Sequence, residues 1–207
     1  GFVPIDSELF TGQTNVQGLQ TPFKDGRSIV AQRHRAAVNQ SKPEMARAMI
    51  ARAQRAGIDA RYLLADAWFG TKPMIAMAED ALLTAIVRMK KNKMKYRHSL
   101  HMPDKVICQD MDLCALYQSA VRGQWEKVAG QPYQSKTVVV DLNLNDPKDE
   151  TERWIKVRLL FVRGVPAGDK TQPAKHDWCV FLSTDPELDA PKMLELYAMR
   201  WDIEVYL

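Results

Sequence analysis

The chain has 207 residues and a formal net charge of +4, with 46% hydrophobic and 26% charged residues. These values are typical of a globular chain that folds as one domain with an insertion or as two small domains. No apolar run reaches the roughly 18 residues that a transmembrane helix requires. The three cysteines include no C-x-x-C pair, which argues against a disulfide framework and predicts a reduced, cytoplasmic protein.

The first predicted element is a strand over Phe2–Phe10, and the polar segment Thr11–Ser28 is predicted to be a loop. A helix is predicted from Pro43 to Ala56. Proline suits the first turn of a helix, and Gly57 fits the position just after its end.

The next residues predict a parallel sheet. The apolar run Tyr62–Ala65 is short and continuous, as in a strand buried on both faces, and Asp66 follows it directly. Thr71 is predicted to cap a second helix that runs to about Ala81, and Leu82–Met89 is the next predicted strand. The order is therefore α-β-α-β.

Beyond residue 95 the pattern changes to strands separated by Pro, Gly, Asp and Asn. They are predicted at Val138–Val140, Ile155–Val162 and Trp178–Leu182, and a helical pattern starts at Pro191. The predicted organisation has three parts. Residues 1–94 form the first part of a core, residues 95–177 form a β-rich insertion packed beside the core sheet, and residues 178–207 return to the core.

The charge is unevenly distributed. Arg27–Arg61 contains eight Lys or Arg and two acids, and Arg88–Arg97 contains six basic residues and no acid. Such segments favour a surface that binds a polyanion, although a solvated basic face explains the charge equally well. The cations predicted to contact the phosphates of such a polyanion are Arg88, Lys90, Lys91, Lys93 and Lys95.

Two places are suited to chemistry. Asp66 follows a strand at the edge of the sheet where ligands gather in α/β folds, although a lone Asp there is more often a cap or loop residue. In the last helix Tyr197, Arg200 and Glu204 are spaced three and four apart and so share one side. An Arg200–Glu204 ion pair explains that spacing as well.

The local sequences resemble those of bacterial insertion-sequence transposases with a DDE catalytic domain. Tyr197-x-x-Arg200-x-x-x-Glu204 resembles the Tyr-Arg-Glu-Lys signature of that group, and Ala65-Asp66-Ala67-Trp68-Phe69 resembles its "DSWF" block with Ala in place of Ser. The segment Gly1–Phe10 is similar to its "sFiPidfaLl" strand, and Trp178–Asp185 to the strand before its catalytic helix. The blocks occur in the family's order along the whole chain.

This resemblance implies an α/β, RNase-H-like fold: a mixed sheet flanked by helices, with a β-rich insertion before the last catalytic helix. It implies two Mg²⁺ ions, replaceable by Mn²⁺, with Asp66 and Glu204 as catalytic metal ligands 138 positions apart (204 − 66). It also implies that Arg200 and Tyr197 contact a DNA phosphate. By analogy with related enzymes, Trp178 would stack on a flipped base.

Two departures from the family pattern lead to a further expectation. The family's first catalytic Asp lies upstream of the Gly1–Phe10 block, and its signature Lys would follow Glu204 by seven residues, beyond Leu207. We therefore expect this chain alone to be inactive. The full-length protein is expected to be nucleoid-associated and to act as a homodimer on transposon ends and target DNA. The alternatives are a non-catalytic DNA-binding remnant and an RNase-H-like nuclease without a role in transposition.

Overall fold

The computed structural model describes residues 6–8, 10–11, 25–121, 123–145, 150–164 and 178–201. The chain forms two compact units, residues 1–59 and residues 60–207. None of the helices in the described part is long and apolar enough to cross a membrane. The three-part division at residues 94/95 and 177/178 stays a prediction.

The first unit contains helices α1 (Ile29–Asn39) and α2 (Lys42–Arg55). Helix α2 confirms the predicted helix, and its start is fixed by a reciprocal capping box between Ser41 and Glu44. Gly57 follows the C-cap with a φ of 78°, a conformation that glycine adopts without steric cost. Helix α1 was not predicted, and its start is capped by the Ser28 side chain.

The N-terminal segment is held by an arginine of α2. Arg52 binds the Asp6 carboxylate at 2.8 Å and the Glu8 carboxylate at 2.5 Å. The hydrogen bond from Arg52 lowers the pKa of Asp6. Asp6–Glu8 and Phe10 are not in a strand, and the other positions of the strand predicted over Phe2–Phe10 lie outside the described residues. Acidic side chains at alternate positions here bind a helix instead of forming part of a sheet face.

The second unit contains eight strands and three α-helices among its described residues. The strands are β1 (Tyr62–Ala65), β2 (Thr84–Arg88), β3 (Tyr96–Met102), β4 (Lys105–Met111), β5 (Glu126–Lys127), β6 (Tyr133–Asn143), β7 (Trp154–Gly164) and β8 (Trp178–Ser183). The helices are α3 (Lys72–Asp80), α4 (Leu113–Val121) and α5 (Ala190–Ala198), and a 3₁₀ turn follows at Met199–Trp201.

All eight strands belong to one mixed sheet of RNase-H-like type, in the order β1-β2-β8-β7-β6-β3-β4, with β5 on β6. Strands β1 and β2 are parallel, as predicted, and the other pairs are antiparallel. The region after residue 95 is rich in strands, as expected. Its strands continue the same sheet, because β8 hydrogen-bonds to both β2 and β7. The predicted packing of an insertion beside the core stays a prediction.

The sheet buries both of its faces around β2. Ile86 packs with Phe181 and with Met193, Leu196 and Tyr197 of α5 in one buried cluster. Ala85 and Val87 alternate with Ile86 and are also buried, so they face the other side of the sheet. The continuous apolar residues Ala85, Ile86 and Val87 have the pattern that is typical of a strand buried on both faces.

Two helix-end predictions need correction. Thr71 occupies the N-cap position of α3, but its side chain makes no capping hydrogen bond, and its hydroxyl is buried without a partner. Helix α5 ends at Ala198, and Arg200 lies in the following 3₁₀ turn, so Tyr197 and Arg200 do not share one continuous α-helix. The third member of that predicted stripe, Glu204, lies outside the described residues.

Candidate active site at the carboxyl end of the parallel strands

Asp66 is the first residue after β1 and is half-buried. Its Oδ1 accepts a hydrogen bond from the Trp68 backbone N–H at 2.8 Å, and its carbonyl accepts one from Phe69 N–H at 3.1 Å. These bonds form a tight turn in which the carboxylate organises its own loop. The backbone around the carboxylate is therefore held by local hydrogen bonds.

Gly70 packs this loop against the end of β2. A Cβ at Gly70 would lie 2.7 Å from the backbone oxygen of Arg88 and 3.0 Å from Met89 Sδ. No larger residue fits there without a backbone shift. The close approach keeps the Asp66 loop next to the carboxyl end of the neighbouring parallel strand.

Asp66 and Arg88 lie on the face of the sheet that carries α5. Directly opposed residues share a face, and Arg88 is opposite Phe181, whose ring lies 4.6 Å from that of Tyr197. Leu64 packs against the same cluster, and strand alternation places Asp66 two positions further on the same side. The sheet thus brings a carboxylate and a guanidinium group beneath the C-terminal end of α5.

Tyr197 is the centre of this charged cluster. Burial raises the pKa of the Tyr197 phenol, and the charge and hydrogen bond of Arg200 and the charge of Arg88 oppose the rise, whereas Asp66 adds to it. The Arg200 guanidinium carbon lies 5.6 Å from the centre of the Tyr197 ring. Asp66 and Arg200, the other described members of the predicted site, therefore both lie within electrostatic reach of Tyr197.

A cavity of about 610 Å³ opens beside these residues. Arg88, Phe181 and Tyr197 line it, together with apolar residues of β7 and α5. Cys179 also lines it, and burial raises the pKa of that thiol while Arg88 and Lys91 oppose the rise. The lining is mainly apolar, with the Arg88 guanidinium and the Glu195 carboxylate as its charged groups.

The basic segment Arg88–Arg97 is not a uniform row of cations. Lys95 forms an ion pair with Asp112, and Arg97 forms one with Asp110. Lys90 and Lys91 instead lie over tryptophan rings, and Lys93 is exposed in the loop between β2 and β3. Contact of Arg88, Lys90, Lys91, Lys93 and Lys95 with DNA stays a prediction, and the carboxylates beside Lys95 and Arg97 reduce the charge available there.

Trp178 is 7% exposed and belongs to an aromatic cluster. Its ring stacks on Tyr117 at 4.1 Å with an angle of 2° between the planes, and Lys91 Nζ lies 3.8 Å from its centroid. Two groups at these distances must occupy opposite faces of the ring. Trp178 lies three positions from Phe181 and therefore points to the sheet face opposite α5. Its stacking on a DNA base stays a prediction that requires Tyr117 or Lys91 to move.

Glu204, the second predicted metal ligand, lies outside the described residues, so its approach to Asp66 stays a prediction. Within the described ranges no three His, Cys, Asp or Glu side chains come close enough together to hold a metal ion. The Asp66 carboxylate is a hard anionic group of the type that Mg²⁺ prefers as a ligand.

Residues 1–106 match the model of a family described as DDE superfamily endonuclease. The match covers 106 of the 207 residues and includes Asp66, Arg88 and the whole basic segment. This chain belongs to the DDE superfamily endonucleases. The mixed sheet with its α-β-α-β unit agrees with that assignment. No curated protein matches the chain.

Sequence reasoning on this DDE endonuclease missed one feature of the site. Trp68 follows Asp66 by two residues and is 67% exposed, and Lys90 Nζ lies 3.6 Å from its ring centroid. The signal was present in the Ala65–Phe69 block, where a tryptophan stands in a short loop beside the candidate carboxylate. Its exposure depended on how the loop packs against β2, which the sequence pattern does not reveal.

Proposed function

We propose that this DDE endonuclease is the catalytic part of a bacterial insertion-sequence transposase, which cleaves DNA at transposon ends and joins those ends to target DNA. The observation that supports it best is the grouping of Asp66, Arg88, Tyr197 and Arg200 at one edge of the sheet. A carboxylate beside two guanidinium groups is suited to binding a phosphodiester. The carboxylate can hold a divalent metal ion, and the guanidinium groups can bind phosphate oxygens.

Asp66 and Glu204 would hold Mg²⁺, or Mn²⁺ in its place. When bound, two such ions would activate the attacking hydroxyl and stabilise the leaving oxygen. The chain's own residues position the DNA. The planar guanidinium of Arg200 can bind two phosphate oxygens. The Tyr197 phenol, whose pKa burial raises, can donate a hydrogen bond to a phosphate.

The cavity lined by Arg88 and Tyr197 would give room for part of the substrate. Double-stranded DNA is the proposed partner, both as transposon end and as target. A homodimer of the full-length protein would hold two ends together for joining.

Cleavage and strand transfer by the full-length protein test this function. The substrate is duplex DNA carrying the transposon ends, with Mg²⁺ or Mn²⁺, and the variants are Asp66→Asn and Glu204→Gln. Asp104→Asn is the matched control, since Asp104 is exposed in the turn between β3 and β4. We expect both reactions to be lost in the first two variants and retained in the control.

The same assay separates the alternatives. A nuclease without a role in transposition would cut the DNA but would not join it, and a DNA-binding remnant would bind the ends without cutting them. Cleavage that survives Asp66→Asn would contradict the proposed site.

A further inference from the structure

The described part of the chain carries two lysine–tryptophan pairs at the start of the basic segment. Lys91 lies over Trp178, which is buried, whereas Lys90 lies over Trp68, which is 67% exposed. A tryptophan that keeps two-thirds of its surface in water contributes little to a hydrophobic core. Exposed aromatic residues paired with cations are the elements with which proteins bind single-stranded nucleic acid.

The position of Trp68 is fixed by its neighbours. Its backbone N–H is bound to Asp66 Oδ1 at 2.8 Å, and the close contact of Gly70 with the Arg88 carbonyl holds the same loop against β2. The ring is therefore carried on a backbone that needs no rearrangement to receive a ligand. Prior order of this kind reduces the cost of binding.

The distance from the carboxylate limits what the ring can contact. Two residues of extended chain span at most about 7 Å, so the Trp68 backbone stays close to that of Asp66. A DNA strand with a phosphate at Asp66 would have the base of a neighbouring nucleotide within reach of the indole. The Lys90 ammonium lies at the same ring and can contact a phosphate of that strand.

We propose that Trp68 and Lys90 bind one nucleotide of the DNA strand held at Asp66, with its base stacked on the indole and a phosphate against the ammonium. This inference rests on the proposed function of the site. Stacking on an indole requires a base that is unpaired or at a strand end, so the pair selects a locally opened strand over an intact duplex. Every base has an aromatic face, so this contact tolerates different sequences.

Binding of two oligonucleotides by the full-length protein tests the proposal. One is oligo-dT of about 12 nucleotides, within the usual site size for single-strand binding, and the other is an abasic oligonucleotide of the same length and charge. The variants are Trp68→Ala and Trp68→Phe. Trp154→Ala is the matched control, because Arg97 lies 4.0 Å over that ring. Arg88 is opposite Phe181 in the sheet, and Phe181 is opposite Leu160. Trp154 lies six positions along β7 from Leu160, which places it about 20 Å from this row.

Removal of one stacked base should lower affinity about tenfold. We expect Trp68→Ala to lose that factor for oligo-dT and less than about twofold for the abasic strand, Trp68→Phe to keep most of the affinity, and Trp154→Ala to bind as the wild type does. Equal loss on both strands, or no loss on either, overturns the proposal while leaving DNA cleavage intact. Failure of the wild-type protein to bind either strand also overturns the proposal. Absence of metal-dependent cleavage by the wild-type protein is a different result, which would overturn the proposed function.

Discussion

The two lysine–tryptophan pairs have the same chemistry and opposite surroundings. Trp68 is exposed beside Asp66 at the carboxyl end of the parallel strands. Trp178 is instead enclosed by Tyr117, Phe161 and Lys91. Trp68 lies in the loop held by the Asp66 turn, and Trp178 links β8 to α4 by stacking on Tyr117. From this contrast we expect Trp68 to act on the substrate and Trp178 to contribute mainly to the stability of the fold.

The largest effect on activity is expected at Asp66, at the carboxyl end of the parallel strands. Replacing Asp66 by Asn removes a proposed metal ligand with almost no change in volume. Because even the partners that orient metal ligands are worth about 10- to 100-fold in activity, we expect cleavage to fall by more than about 100-fold. The melting temperature should hardly change. An activity within about tenfold of the wild type would remove Asp66 from the site.

The enclosed region should show the opposite behaviour. Trp178→Ala would leave a cavity among Tyr117 and Phe161, and we expect the free energy of unfolding to fall by about 3–5 kcal/mol. The exposed Trp68 should cost less than about 0.5 kcal/mol on the same change. Urea unfolding of the two variants measures the difference. Equal destabilisation would show that burial does not separate the two tryptophans.

The basic segment allows a test of the contrast between cations that contact DNA and cations that pair with carboxylates. In the double variant of Lys90→Ala and Lys91→Ala, we expect the slope of log affinity against log salt for DNA to decrease by about 1 for each phosphate that the protein no longer binds. Lys95→Ala with Arg97→Ala is the matched control, because Asp112 and Asp110 already pair with those cations. Its slope should change less. The same change in both double variants would argue for a simple basic stripe.

The smallest effect concerns alkaline pH. Burial raises the pKa of Tyr96 and of Tyr197 above the ordinary phenol value of about 10. The unfolded chain therefore loses these protons first as pH rises, and the stability present below pH 10 is lost above it. The expected slope is up to about 1.4 kcal/mol per pH unit for each phenol.

Tyr96→Phe should make that decline shallower. Urea unfolding between about pH 9 and about pH 11 compares the variant with the wild type. Tyr197→Phe, measured in the same way, gives the contribution of the Tyr197 phenol to the loss of stability at high pH. Parallel curves for all three proteins would mean that neither phenol is kept protonated by the fold.

Periodicity and caps predicted the α-β-α-β unit well, because those elements are local. Gly57, Pro43 and the continuous apolar runs of β1 and β2 each act within a few residues. The position of Asp66 at a strand end followed from the same local pattern. Tyr197 and Arg200 were identified through their spacing and through the resemblance to a family.

What the sequence did not predict depends on long-range packing. Helix α1 has a weak apolar pattern, and the β3–β4 hairpin is largely exposed, so neither has strong local periodicity. The joining of all strands in one sheet required β8 to pair with both β2 and β7. The burial of Trp178 and the exposure of Trp68 follow from the same packing, which residue spacing alone does not reveal.

The most direct test of the proposed site is the position of a metal in the full-length protein. A crystal soaked in Mn²⁺ and measured by anomalous scattering should place an ion within about 2.2 Å of an Asp66 oxygen. The Glu204 carboxylate should lie within roughly 10–12 Å of that of Asp66, the span that two ions about 4 Å apart can bridge. Mn²⁺ bound elsewhere, or carboxylates further apart than this, would contradict the assignment of Asp66 and Glu204 as catalytic ligands.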